Sequence, residues 1–213
     1  MAVSRDPENK QGKKVFSSNL LDILYKSSVP SVFVTYTPVI IGFYWYGFSQ
    51  GYITSALQVG GWFVASLVVW SLVEYLMHRF AFHILEDSPK YERAYYLLHG
   101  RHHEFPKDPD RLFMPPLAGL GLTVVFFALF YLFIGTNVYA FMPGFVFGYV
   151  AYALTHYAMH RIKPPFKFME PLWRNHHLHH FRHPQKGFGV STTFWDYIFR
   201  TVPPKAKKKK ATS

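Results

Sequence analysis

The sequence predicts an all-α integral membrane protein, with four transmembrane helices in two hairpins under a helical cap that gathers histidines at one membrane face. Three observations predict this. Four long stretches are nearly free of charge, all 23 Lys and Arg fall on one side of them, and all 12 His fall on that same side. The bulk figures conceal the pattern. The chain has 213 residues and a formal charge of +11, yet its mean hydropathy is only +0.03. A basic nucleic-acid binder is a poor match, because charged residues make up 16% of the chain and aromatic residues 20%. That aromatic and aliphatic content also excludes intrinsic disorder. With no Cys, disulfide scaffolds, thiolate metal sites and cysteine nucleophiles are excluded.

The four apolar stretches are 31–49 (SVFVTYTPVIIGFYWYGFS), 56–77 (ALQVGGWFVASLVVWSLVEYLM), 117–135 (LAGLGLTVVFFALFYLFIG) and 139–159 (YAFMPGFVFGYVAYALTHYAM). Each approaches the ~20 residues that cross a bilayer core. They are apolar all round, whereas a soluble helix of this length keeps a wet face. The connections 50–55 and 136–138 are short and uncharged, as antiparallel hairpins require. Pro38 and Pro143 are expected to bend the first and fourth spans. Residues 1–30 read as a polar tail without a cleavable signal. Residues 31–200 form the membrane domain, its cap drawn from 78–116 and 160–200, and 201–213 form a basic tail.

With four spans, both tails and the central stretch share one side. Lys and Arg number 5 before residue 31, 6 in 78–116 and 12 after His160, which accounts for all of them. The positive-inside rule then makes both termini and the cap cytosolic. The run Lys207–Lys210 suits anionic headgroups at about 1 kcal/mol per charge. The segment 194–199 (FWDYIF) suits either the interface or plain packing.

The histidines form four clusters: His78 and His83; His99, His102 and His103; His156 and His160; and His176, His177, His179 and His180 with His183 behind them. Neutral imidazole is a common ligand of zinc and iron. Spacings of three and four put side chains on one helical face. His78 and His83 are five apart, roughly 140° around a regular helix, so they need an irregular turn or serve different metals. One cluster alone would read as an interfacial anchor or a surface patch. Four on one face point to a built site. Ten ligands (His78, His83, His99, His102, His103, His156, His160, His176, His179, His180) are too many for one ion, and suit two with about five each. No catalytic side chain is expected apart from them. His177 and His183 are assigned outside the ligand set, supporting the ligands, and Glu74, one turn before His78, is expected to orient that imidazole.

On these residues the chain resembles the fatty acid hydroxylase / sterol desaturase superfamily of membrane di-metal oxygenases, and within it the fatty acid 2-hydroxylases. The matching pieces are Glu74-Tyr-Leu-x-His78-Arg-Phe-x-Phe-His83, His99-Gly-x-His102-His103, Asp110-Arg111-Leu-Phe-Met114-Pro115-Pro116, Thr155-His156-Tyr157-x-x-His160, His179-His180-Phe181, Gly187-Phe188-Gly189-Val190-Ser191 and Trp195-Asp196, in that order over about 70–200. Sterol desaturase relatives open with H-x3-H, whereas this chain opens with H-x4-H. Many relatives carry Tyr-Asp where this chain has Tyr152-Ala153.

The resemblance implies O2-dependent 2-hydroxylation of long or very-long acyl chains for sphingolipid synthesis, in the endoplasmic reticulum membrane. It implies two iron ions, with zinc able to occupy the ligands as an inert substitute. Tyr152, Tyr157 and Arg111 are candidate substrate-lining residues. The ~30 residues before the first span cannot hold a cytochrome b5 domain, so electrons are expected from a separate cytochrome b5 and its reductase. Competing readings are sterol or carotenoid oxidation on the same scaffold, or a non-enzymatic membrane metal-binding protein. The Gly187-Phe188-Gly189 and Arg111…Pro116 elements argue against the last, since metal binding alone needs neither.

Overall fold

A computed structural model describes residues 15–83 and 89–204; the basic run ending at Lys210 and the start of the N-terminal tail lie outside the described residues. Among the described residues the structure is helical and contains no strand. Four long helices form the body: α2 (Val29–Ser49), α3 (Ala56–Leu76), α6 (Pro116–Ile134) and α7 (Val138–Arg161). Between and around them lie α1 (Asn19–Tyr25), α4 (Glu92–Tyr95), α5 (Arg101–Glu104), α8 (Glu170–Phe181) and α9 (Phe194–Ile198).

Local chemistry sets the ends of the long helices. α2 starts with a capping box, in which the Ser28 amide donates to Ser31 Oγ at 2.8 Å. α3 starts at Ser55, whose Oγ accepts from the Gln58 amide at 3.2 Å. α6 starts after Pro115 and stops at Gly135, whose φ of 55° the other residues adopt only with strain. The two hairpin turns lie at the same end of the bundle, joined by a Gln58–Asn137 side-chain hydrogen bond of 3.2 Å. α2 and α7 continue through Pro38 and Pro143 without interruption.

α7 is the core of the bundle, with α3 and α2 packed along it. The close α3–α7 approach is made by Gly144 and Gly148, a small-xxx-small pair. A Cβ at Gly148 would lie 2.5 Å from Trp70 Cγ, and one at Gly144 would lie 2.1 Å from Ser66 Oγ. The outer faces stay apolar. Leu57 is 86% exposed, Leu132 80% and Phe133 78%, which water would penalise and lipid would not. Two helical runs, Ala56–Phe82 and Pro116–Arg161, are long and apolar enough to cross a membrane. The second contains both α6 and α7. α2 has the length, but its Tyr36, Tyr44, Trp45 and Tyr46 make it less apolar.

The stretch ahead of α2 is more than a tail. Tyr25 donates its hydroxyl to the Leu97 carbonyl, and Ser27 Oγ donates to the Phe113 carbonyl at 2.6 Å. Arg111 pairs with Asp22 at 2.6 Å and with Asp108 at 3.7 Å, and Arg101 pairs with Asp108 at 3.3 Å. All four side chains are buried. Helix α1 is thereby locked to the segment that carries His99, His102 and His103.

Candidate metal centre

The ten histidines expected as ligands meet in two groups of five. His78, His83, His99, His103 and His179 form the first, and His102, His156, His160, His176 and His180 form the second. Within each group the ligand atoms lie within 4.8 Å of one another. The groups adjoin, since the His103 and His180 rings stack at 4.3 Å.

Of the two readings of the five-residue spacing, an irregular turn or service to different metals, the turn is the one present. Residues Met77–Phe82 form a π turn, whose wider i→i+5 winding brings His83 round to the side of His78. A second π turn, Tyr96–Gly100, carries His99 into α5. Each H-x2-H-H cluster divides between the groups by helical phase. Its i,i+4 pair, His99 with His103 or His176 with His180, serves one group, and the remaining histidine serves the other. His156 and His160, four apart on α7, both face the second group.

Hydrogen bonds fix the tautomers of two ligands. His78 Nδ1 lies 2.6 Å from the Phe188 carbonyl, and His179 Nδ1 lies 3.0 Å from that of Lys186. A carbonyl only accepts, so each Nδ1 carries the proton and each Nε2 presents its lone pair. The Nε2 atoms of His78 and His179 are 3.1 Å apart, and His103 Nε2 is 2.8 Å from His99 Nε2. Lone pairs this close repel unless a cation lies among them. Burial, reinforced by neighbouring imidazoles, holds His99, His102, His176, His179 and His180 well below the ordinary histidine range, so each is neutral. Buried, neutral, convergent nitrogens with no thiolate or carboxylate among them fit a divalent transition metal.

Glu74 is placed differently from expectation, while His177 and His183 stay outside both ligand groups as assigned. Glu74 does not hydrogen-bond the His78 ring. Its Oε1 instead accepts the amides of Val190 and Ser191 at 2.7 and 2.9 Å, because the loop 186–191 lies between it and the imidazole. His177 points outward against Phe181, since helical phase turns it away from both groups. His183 belongs to neither group, because it sits past the end of α8, in a turn whose amide donates to Leu178. The sequence reading gave Phe188 and Asp196 no role, although Gly187-Phe188-Gly189 and Trp195-Asp196 were visible as motifs. The Phe188 ring packs at 5.6, 5.5 and 5.5 Å from those of His78, His83 and His179.

An apolar cavity of about 70 Å³ runs from the first group down between α3, α6 and α7. Trp70, Val73, Phe126, Phe145 and Val146 line its depth, and His78, Phe82, Met114 and Tyr152 its upper end. Tyr152 is thus a lining residue. Tyr157 is not, because its ring stacks on Phe113 at 5.8 Å and lies under the Arg161 guanidinium at 5.4 Å. Arg111 borders a second cavity of about 40 Å³, beside His99, His102 and His156, with its guanidinium engaged by Asp22 and Asp108.

Known proteins resemble this chain in sequence and fold. The profile of the fatty acid hydroxylase family matches residues 63–201. A dihydroceramide fatty acyl 2-hydroxylase of Arabidopsis thaliana is 34% identical over 203 residues, covering 94% of this chain and 85% of that protein. The Homo sapiens fatty acid 2-hydroxylase is 34% identical over 214 residues, and there the chain spans only 57% of the relative's length. A solved structure described as full-length Scs7p, with only its hydroxylase domain visible, superimposes with a TM-score of 0.79 at 34% identity, over 87% of this chain and 70% of that one. The family profile covers most of the chain and takes in every histidine of both groups, and the chain belongs to the fatty acid hydroxylase family of enzymes.

Proposed function

We propose that the protein hydroxylates C2 of a long or very-long acyl chain destined for, or already within, a ceramide. The observation that carries this reading is the apolar cavity ending at His78. A metal-storage site has no need of an apolar cavity opening on its ligands. The relatives' names, dihydroceramide fatty acyl 2-hydroxylase and fatty acid 2-hydroxylase, point the same way.

In this reading α2, α3, α6 and α7 cross the endoplasmic reticulum membrane, with the histidine-bearing cap in the cytosol. Trp70, Phe126 and Phe145 hold the tail in the apolar part of the cavity and exclude water from it. The polar head remains near the interface, so the carbon next to the carbonyl lies beside the His78 group. The ten histidines would hold two iron ions, which supply the electron transfer that activates dioxygen. In net terms, the acyl methylene, O2, two electrons and two protons give the 2-hydroxyacyl product and water. A separate cytochrome b5 with its reductase supplies the electrons.

Expression in cells lacking acyl 2-hydroxylase, followed by sphingolipid profiling, tests the proposal. Restored 2-hydroxy acyl chains support it. Intact protein with an unchanged profile sinks it, and oxidised sterols or carotenoids would identify the reaction as another on the same scaffold.

A further inference from the structure

We infer that Asp196 and Glu74 are positioning residues for the first histidine group, acting through the backbone of loop 186–191. The inference rests on the two-metal reading of the histidines.

The loop gives two carbonyls to that group, Phe188 to His78 and Lys186 to His179. Two buried carboxylates hold it in place. Asp196 accepts the amide of Phe188 on Oδ1 and that of Gly189 on Oδ2, each at 3.0 Å, and Thr201 donates its hydroxyl to Oδ1 at 2.7 Å. Glu74 accepts the next two amides, Val190 and Ser191, on Oε1. Four consecutive N–H groups are therefore tied to two carboxylates. The glycines make this possible. Gly187 has a φ of 75°, and a Cβ at Gly189 would lie 2.0 Å from the Thr192 carbonyl and 3.0 Å from Asp196 Oδ2.

Two histidines of the second group lack this support. His102 Nδ1 and His176 Nδ1 are buried without a hydrogen-bond partner. A ligand whose far nitrogen is anchored is pre-oriented and more basic, and losing such an anchor typically costs 10–100-fold in metal affinity. The two groups therefore retain metal unequally, and the carboxylates control only the first.

The test measures metal release from purified full-length protein into a chelator, by inductively coupled plasma mass spectrometry, together with detergent-phase folding. In Asp196→Asn one carboxylate oxygen becomes a donor facing an amide, and in Glu74→Leu two amides lose their acceptor. Each should release one of two metal equivalents at least ~10-fold faster and leave the other at the wild-type rate. Thr201→Val is a milder variant that must move the same equivalent. Trp195→Phe, which removes the Trp195–Ser71 bond on the same helix, should change neither. Unchanged release, or equal acceleration of both equivalents, overturns the inference. Wild-type protein that takes up no metal would instead overturn the two-metal reading itself.

Discussion

His102 and His103 are adjacent in the chain and face different metal groups. His103 Nε2 lies 2.8 Å from His99 Nε2 in the first, and His102 Nε2 lies 2.9 Å from His180 Nε2 in the second. A rotation of roughly 100° per residue places successive side chains on opposite sides of the seam between the groups. The α8 cluster repeats the arrangement in reverse, sending His179 to the first group and His176 and His180 to the second. Each group thus takes a pair from the end of a long helix, a pair from one cap helix and a single residue from the other.

This division predicts the effect of two neighbouring substitutions. His103→Ala should cost the first group its metal and His102→Ala the second, each leaving about one equivalent per chain. Metal analysis of the two variants, with double substitution as the reference for full loss, checks the assignment. Loss of both ions from either single variant would contradict independent groups.

The cavity predicts a separation of chemistry from binding of metal. Val146 is buried on the cavity wall, on α7, away from every ligand. Val146→Trp should fill the slot and reduce 2-hydroxylation at least ~10-fold while metal content is unchanged. Overpacking of this kind costs typically 1–3 kcal/mol of stability, so a melting curve should accompany the product assay.

The α3–α7 seam gives a purely structural prediction. Gly148→Ala forces a methyl group to 2.5 Å from Trp70 Cγ. The expected penalty is about 1–3 kcal/mol, read as a lower unfolding midpoint in detergent. Ala at Gly121, where no heavy atom lies within 4 Å, should be tolerated.

The Asp22–Arg111 pair gives a pH prediction. Burial raises the affinity of Asp22 for a proton, but the Val15 amide and Arg111 outweigh it and hold the carboxyl below its usual range. A depressed carboxylate stabilises the fold above its unfolded pKa of about 3.9, and that contribution fades as pH falls through the lower folded value. Attachment of α1 should therefore weaken below about pH 4, as monitored by limited proteolysis near Asn19. In Asp22→Asn the attachment should be weak at every pH.

Much of this was readable from residue order. Hydropathy placed the long helices to within a few residues, since an apolar stretch of that length has few alternatives. Spacing brought out the ten histidines and the need for an irregular turn after Met77. The supporting contacts were not readable, because they depend on segments distant in sequence. His78 and Phe188 are 110 positions apart, and Glu74 and Val190 are 116. Glu74 looked like a partner of His78 because one helical turn separates them, and nothing local shows that a loop intervenes. Gly144 and Gly148 did carry a readable signal, a small-residue pair four apart in an apolar helix, which the expected proline bend at Pro143 obscured.

The π turn at Met77–Phe82 has a consequence for how sequences of this kind diversify. A widened turn accommodates one extra residue while keeping the two imidazoles on one side. Deleting Ala81 would restore α-helical winding and leave the two imidazoles four apart, still on one side. An H-x4-H carried on a π turn and an H-x3-H carried on a regular helix thus present a histidine pair alike, one residue apart in length.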